Sequence, residues 1–273
     1  TKNGEWLTHP AFTFGTTELN GFWVAKFEST GSATALTAKP GLTSWRNINV
    51  LTMFNAARNM ELVYSNNYGI NSNEIDTHMM KNMEWGAMAY LSHSEYGTCT
   101  NGTCVEITYN SNSSYVTGGS SSKTAWASTY VKQSTTHNQY GVYDTSGGAW
   151  EYVMGNMTNS TTVATSQYFY SSSSGFTSPP ADKYIDYYLY DASSYTTHKR
   201  GRLGDATKET LATFGSETGG WYGDYAVFPF ATYSWFIRGG NYGNGATNTG
   251  VFTFSNNTGA ANTNISFRVV LRL

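Results

Sequence analysis

Two apolar stretches near the end of the chain, WFIR at 235–238 and SFRVVLRL at 266–273, are rich in β-branched and aromatic residues and alternate in places, as half-buried strands do. They constrain the fold most, because strands need partners, and whatever they pair with must also carry the segment between them. That segment, residues 241–265, has no charge and no Lys, Glu, Gln, Met or Trp. Every residue type in it can be written with a pyrimidine-ending codon. Random substitution at the adenines of repeated Asn codons can produce every type found there, Asn, Tyr, Ser, Thr, Ala, Gly, Val, Phe and Ile, and none of the five that are missing. The alternative is an ordinary Asn, Thr and Gly loop region that stays polar because no core claims it.

With 273 residues the chain has ample length to bury a core, as one large domain or two small ones. Charged residues are only 12% and aromatics 16%, a mixture that suits a loop-rich extracellular domain with a neutral polar surface. A net charge of -2 without a basic patch argues against nucleic acid and anionic membrane as main partners. No apolar run is long enough to span a bilayer and no signal peptide is present. Thr1 opens the sequence abruptly, so a leader or anchor ahead of it is expected.

Both cysteines, Cys99 and Cys104, fall in CTNGTC. Asn101-Gly102 is a strong two-residue hairpin signal; if it closes the turn, Thr100 faces Thr103 and Cys99 faces Cys104 at a non-hydrogen-bonded pair within disulfide reach. A disulfide and an oxidising compartment are expected. Free thiols and a pair of metal ligands are the competing readings, zinc being disfavoured because the sequence shows no nearby His or Cys partner.

In chain order, residues 21–30 (GFWVAKFEST) read as a central strand, with Phe22, Val24 and Lys26 on one side and Trp23, Ala25 and Phe27 on the other. Residues 42–60 place Trp45, Ile48, Leu51, Met53, Phe54 and Ala57 near helical spacing, with Thr43 or Ser44 as N-cap. A second helix is expected over 77–97, with Met80, Met83, Ala87, Tyr90 and Leu91 on one face and Gly97 as the stop. The methionines read as core. From 98 to 235 short aromatic pieces alternate with Gly, Ser, Asn and Pro, without a repeat. The linker-like 171–180 reads as a surface loop inside one domain.

These motifs resemble a known family in its order. GFWVAKFEST is similar to the Lys-(Tyr/Phe)-Glu-Val-Thr strand of the formylglycine-generating-enzyme-like branch of the C-type lectin fold. MMKNMEWGAMAY resembles its RLPTEAEWEYA helix, with Glu84-Trp85 in the matching place. GVYDTSGGAWEYV (141–153) resembles GLYDMSGNVWEWV, and IRGGNY followed by SFRVV resembles the RGGSW and GFRVA endings. The resemblance covers nearly the whole chain. It implies one α+β C-type lectin-like domain over 1–273, with two main helices, short strands and many ordered loops.

It does not carry an activity across. Formylglycine-generating enzymes hold a reactive cysteine pair shortly after RGGSW, and residues 243–264 contain no cysteine. Related sulfoxide synthases use a three-histidine iron site, whereas His9, His78, His93, His137 and His198 are scattered. The chain is therefore read as a non-enzyme that needs no cofactor. An enzyme on the same scaffold is the alternative from another class, which bound copper or iron, or thiol-dependent turnover, would reveal. A constant structural surface protein is a third.

The 235–273 segment also resembles the variable region of C-type lectin fold proteins diversified by retroelements, in which adenine-directed mutagenesis rewrites Asn codons near the C-terminus. That resemblance implies a surface-displayed ligand-binding or adhesion protein, extracellular on a cell surface, pilus or phage particle, directed at a protein or glycan on a target surface. The rewritten positions are then Asn241, Tyr242, Asn244, Thr247, Asn248, Thr249, Thr253, Ser255, Asn256, Asn257, Thr258, Ala260, Ala261, Asn262, Thr263, Asn264 and Ile265. Gly243, Gly245, Gly250 and Phe252 are assigned to the scaffold. A face this short of aromatics predicts modest affinity unless displayed many times.

Glu151, Arg238 and Arg268 recur in the family's signatures and are read as a buried ion-pair network rather than a catalytic set. Asp144 is expected to cap a tight turn. A structural calcium is left open, since Asp182, Asp186, Asp191, Asp205 and Asp224 supply oxygens without EF-hand spacing. The calcium and sugar motifs of lectins, Glu-Pro-Asn or Gln-Pro-Asp with Trp-Asn-Asp, do not occur.

Overall fold

The computed structural model describes residues 7–119, 128–158, 173–189, 201–230 and 232–273. Asp191, His198 and the start of the 171–180 loop lie outside them. The chain forms a mixed α+β fold. Short strands come first: β1 (Thr13–Phe14), β2 (Thr17–Glu18), β3 (Trp23–Val24), β4 (Thr30–Ser32) and β5 (Ala35–Thr37). Helix α1 (Val50–Leu62), a single helical turn α2 (Ser65–Tyr68), β6 (Asp76–Met79) and α3 (Asn82–Ser92) follow. The hairpin β7 (Cys99–Thr100) and β8 (Thr103–Cys104) precedes the long β9 (Trp150–Thr158) and β10 (Asp186–Leu189). The chain then returns through β11 (Trp235–Arg238), β12 (Phe254–Asn257), β13 (Ile265–Phe267) and β14 (Val269–Arg272).

The two apolar C-terminal stretches do pair, and with the same strand. β11 runs antiparallel to β9 on one side and β12 on the other, and β13 pairs parallel with β9. β9 is buried along its length because strands lie against it and helices lie over it: Trp150, Tyr152 and Met154 join a core with Val50, Met53 and Ala57 of α1, while Val153 joins Trp85, Met88 and Ala89 of α3. Residues 266–273 do not form one strand. Arg268 interrupts them, its side chain turned inward to Glu151, and β14 continues in a separate sheet ordered β3-β14-β6.

Local expectations needed correction where backbone groups found distant partners. The 21–30 stretch supplies only the two-residue edge strand β3 and the first residue of β4, with Trp23 exposed, although Ala25 and Ser29 still donate to Val269 O and Phe267 O. The first helix begins at Val50, not near Thr43. Ser44, Trp45 and Asn47 donate their N–H groups to Tyr115 O, Ser29 O and Asn262 O, which excludes helix there, and Asn49 becomes the N-cap by accepting from Thr52 N at 3.0 Å. In the second helical stretch, 76–79 is a strand paired to β14, and the helix ends at Ser92, five residues before Gly97. Its buried face is Met83, Trp85, Met88 and Ala89, while Leu91 is exposed.

Cys99 and Cys104 are register partners joined by a disulfide, as the Asn101-Gly102 turn predicts. Among the described residues no helix is long and apolar enough to cross a membrane.

Candidate functional site

The biased segment divides into two surface arms around a buried middle. β11 leaves the core through Gly239 (φ 84°) and Gly240 (φ 75°), a bend that non-glycine residues adopt only with strain. The first arm then makes a tight turn closed by its own asparagines: Gly243 N donates to Asn241 Oδ1 at 2.9 Å and Asn241 N to Asn244 Oδ1 at 2.8 Å. Tyr242 N donates to Gly148 O at 3.0 Å, which ties the arm to the loop leading into β9.

The second arm runs from Ser255 through Asn264. Tyr152 Oη lies 2.7 Å from Asn257 Oδ1 and 3.0 Å from Ala260 O, Asn256 Nδ2 donates to Phe228 O at 2.8 Å, and Val50 N, Asn47 N and Trp150 N donate to Gly259 O, Asn262 O and Asn264 O. Tyr115 joins the two arms. Its ring meets Tyr242 edge-on at 4.9 Å and its hydroxyl donates to Asn264 Oδ1 at 2.5 Å. Burial, with Tyr242 alongside, pushes the Tyr115 phenol upward, so it remains a neutral donor. The Arg46 guanidinium lies over that ring at 3.7 Å and donates to Thr263 O, placing a positive charge beside a segment that has none of its own.

Of the residues assigned to this face, Asn244, Thr247, Ala261, Thr263 and Asn264 are exposed, and Asn241, Tyr242, Asn248, Ser255, Asn256, Asn257, Thr258, Ala260 and Asn262 are half-buried. Thr249, Thr253 and Ile265 are corrections: all three are at most 1% exposed and present no side chain to a ligand. Ile265 pairs with Trp150 in the core, and Thr249 packs on Gly240, where an added Cβ would sit 2.6 Å from Thr249 Cγ2. Val251, Phe252 and Phe254 beside them are core as well. Gly250 is scaffold, because a Cβ there would lie 2.1 Å from Asp224 Oδ2; Gly243, with only Asn241 Oδ1 near at 3.3 Å, is open surface instead. Tyr115 and Arg46 escape sequence reading, being remote from the biased segment and ordinary in composition. Nothing local marks them.

Behind the face, Arg268 and Glu151 form a bidentate pair at 3.1 and 2.5 Å, both buried, and Arg268 also donates to Ala25 O and Tyr143 O. Arg238 is not part of this pair. It donates to Ala206 O at 3.1 Å and lies over Trp85 and Phe254, and its Nε and Nη1 have no hydrogen-bond partner among the described residues. Burial pulls it down to about 10, still charged at neutral pH. Asp144 does not cap its own turn either: its Oδ1 accepts from Asn110 Nδ2 and Gly118 N, fastening distant loops.

A second titratable cluster lies around Asp76, which pairs with Arg58, Lys183 and His78. His78 is buried between Asp76 (Nδ1, 2.9 Å) and Glu84 (Nε2, 2.9 Å). The aspartates weighed for calcium are separate: Asp186 accepts from Met83 N, Asp205 from Thr207, and Asp224 from Phe252 N. Burial, aided by the charge of Asp224, pushes Glu106 well above the ordinary carboxylate range, and burial raises Asp224 as well. His93 does approach the cysteines, contrary to the sequence reading: one ligand atom each of His93, Cys99 and Cys104 lies within 4.8 Å of the others. In comparisons with known proteins the chain matches no family model and no curated protein.

Proposed function

We propose that this chain is a ligand-binding protein of the C-type lectin fold, formylglycine-generating-enzyme-like branch, displayed outside the cell, whose two C-terminal arms form a diversified recognition face for a protein or glycan. One observation carries the reading: the residues with the codon-restricted bias supply the exposed side chains of the arms, while groups outside the segment tie down the backbone of the second arm and, through Gly148, the start of the first. Gly148, Trp150, Tyr152, Tyr115, Arg46, Asn47 and Val50 anchor main-chain atoms or brace the arms. Rewriting an exposed arm side chain therefore leaves these outside supports in place, the division of labour that antibody loops use. The hairpin disulfide supports an oxidising location.

A library randomised with pyrimidine-ending codons at Tyr242, Asn244, Thr247, Asn248, Ser255, Asn256, Thr258, Ala261, Thr263 and Asn264 tests it. Most members are expected to stay folded, and selection against unrelated protein and glycan panels is expected to return distinct binders. A library that largely unfolds, or a folded library that yields none, overturns the reading.

A further inference from the structure

The β7–β8 hairpin has an imidazole beside its disulfide that the disulfide itself does not need. His93 caps the C-terminus of helix α3, its N–H closing the last turn on Ala89 O and Tyr90 O. The ring is fixed in place: Trp221 packs at 5.1 Å, Phe252 meets it edge-on at 5.7 Å, and Tyr222 Oη lies 2.9 Å from Nδ1. Beyond the sulfurs, Thr100, Asn101, Gly102 and Thr103 form an exposed tip with room to adjust, and Cys104 is itself half-buried, which leaves a path from solvent.

We propose that reduction of the Cys99–Cys104 disulfide turns this corner into a binding site for a thiophilic cation of the zinc type, held by two thiolates and the His93 imidazole. A dithiol reductant supplies two electrons and two protons. The S–S bond breaks to two thiols while the reductant closes to its own disulfide. The cation then releases the two thiol protons to solvent, takes both thiolates and a lone pair of neutral His93, and keeps water as its fourth ligand. Zinc sets sulfur at ~2.3 Å and nitrogen at ~2.0 Å, hence donors about 3.5 Å apart. The three donor atoms, already within 4.8 Å of one another, reach that spacing through small movements of the tip. Two sulfurs and one nitrogen favour zinc over calcium or magnesium, which take oxygen. The site is independent of the binding face.

The test is zinc titration of the whole chain against a chromophoric chelator, with and without a phosphine reductant, and far-UV circular dichroism on each sample. The reduced protein is expected to take up one zinc, and the oxidised protein to bind it at least ~100-fold more weakly. Cobalt in place of zinc is expected to give thiolate charge-transfer absorption that Cys99→Ser diminishes. His93→Ala is expected to weaken zinc at least ~10-fold, the scale on which site partners act. Equal affinity in oxidised and reduced protein, indifference to His93→Ala, or loss of the fold on reduction each overturn the proposal.

Discussion

Two arginines, both 0% exposed, should respond very unequally to the same substitution. Arg268→Met removes four hydrogen bonds, two to Glu151 and one each to Ala25 O and Tyr143 O. It also leaves Glu151 buried beside Asp144 and Glu28 without the guanidinium. Glu28 already sits well above its ordinary range, first from burial and then from the charges of Asp144 and Glu151. Removing one partner of a buried pair costs about 3–5 kcal/mol. At a urea slope of about 3 kcal/mol/M this lowers the midpoint by roughly 1–2 M. The loss should be smaller at pH 5.5 than at pH 8, because carboxyl groups raised by burial take up protons at the lower pH and stop needing a counter-charge. Arg238→Met, by contrast, removes one hydrogen bond from a side chain whose Nε and Nη1 have no partner among the described residues, takes a positive charge from the neighbourhood of Asp205 and Asp224, carboxyls that burial already raises toward the neutral form, and puts an apolar group against Trp85 and Phe254. Its cost should stay within about 1.5 kcal/mol. Urea unfolding followed by tryptophan fluorescence measures both. Equal losses, or an Arg268→Met loss below about 1.5 kcal/mol, would refute the reasoning.

The pH dependence should also carry the His78 cluster. Burial pulls the His78 imidazole down, but the charge of Glu84 and hydrogen bonds to Asp76 and Glu84 outweigh it and the net shift is upward. Its contribution is complete below its unfolded value near ~6.5 and is lost as pH rises through the folded value. Asp76 goes the other way: burial raises it, but hydrogen bonds from His78 and Tyr184 and the nearby charges bring it to about 2, so its contribution holds above its unfolded value and fades as pH falls toward 2. His78→Gln should flatten the alkaline side of a stability profile taken from pH 6 to 9. On the face, Thr247→Ala and Thr263→Ala should change stability by less than about 0.5 kcal/mol, whereas Ile265→Ala should cost about 2–5 kcal/mol in the same denaturation assay. Gly250→Ala forces a methyl against the Asp224 carboxylate and should cost about 1–3 kcal/mol, visible as a lowered melting temperature.

What could be read from the sequence was what local chemistry decides. Asn101-Gly102 closed its hairpin and brought Cys99 to Cys104, because a two-residue turn leaves the register no freedom. WFIR became a strand because its residues suit a buried sheet. The start of α1 was misread because Thr43 and Ser44 are good caps only when the following N–H groups are unspent, and those of Trp45 and Asn47 go to Ser29 and Asn262, far away in sequence. His93 was missed as a neighbour of the cysteines for a similar reason: the turn after Ser92 folds back, and spacing along the chain does not show it. Along the C-terminal segment, residue type does not separate the surface arms from the buried middle. Thr249, Thr253 and Ile265 belong to the same codon set as their exposed neighbours, and composition carries no information on which of them the sheet covers.

The central claim is that the exposed arms are rewritten while their supports are kept. Deep sequencing of the gene segment encoding residues 235–273 across a natural population of the source tests it most directly. Substitutions should crowd onto the first two positions of pyrimidine-ending codons in 241–248 and 255–264, and should spare Phe252, Phe254, Ile265, Arg268 and the strand residues at 235–238. A segment as constant as the rest of the gene, or one whose changes fall equally on the buried residues, would contradict the account.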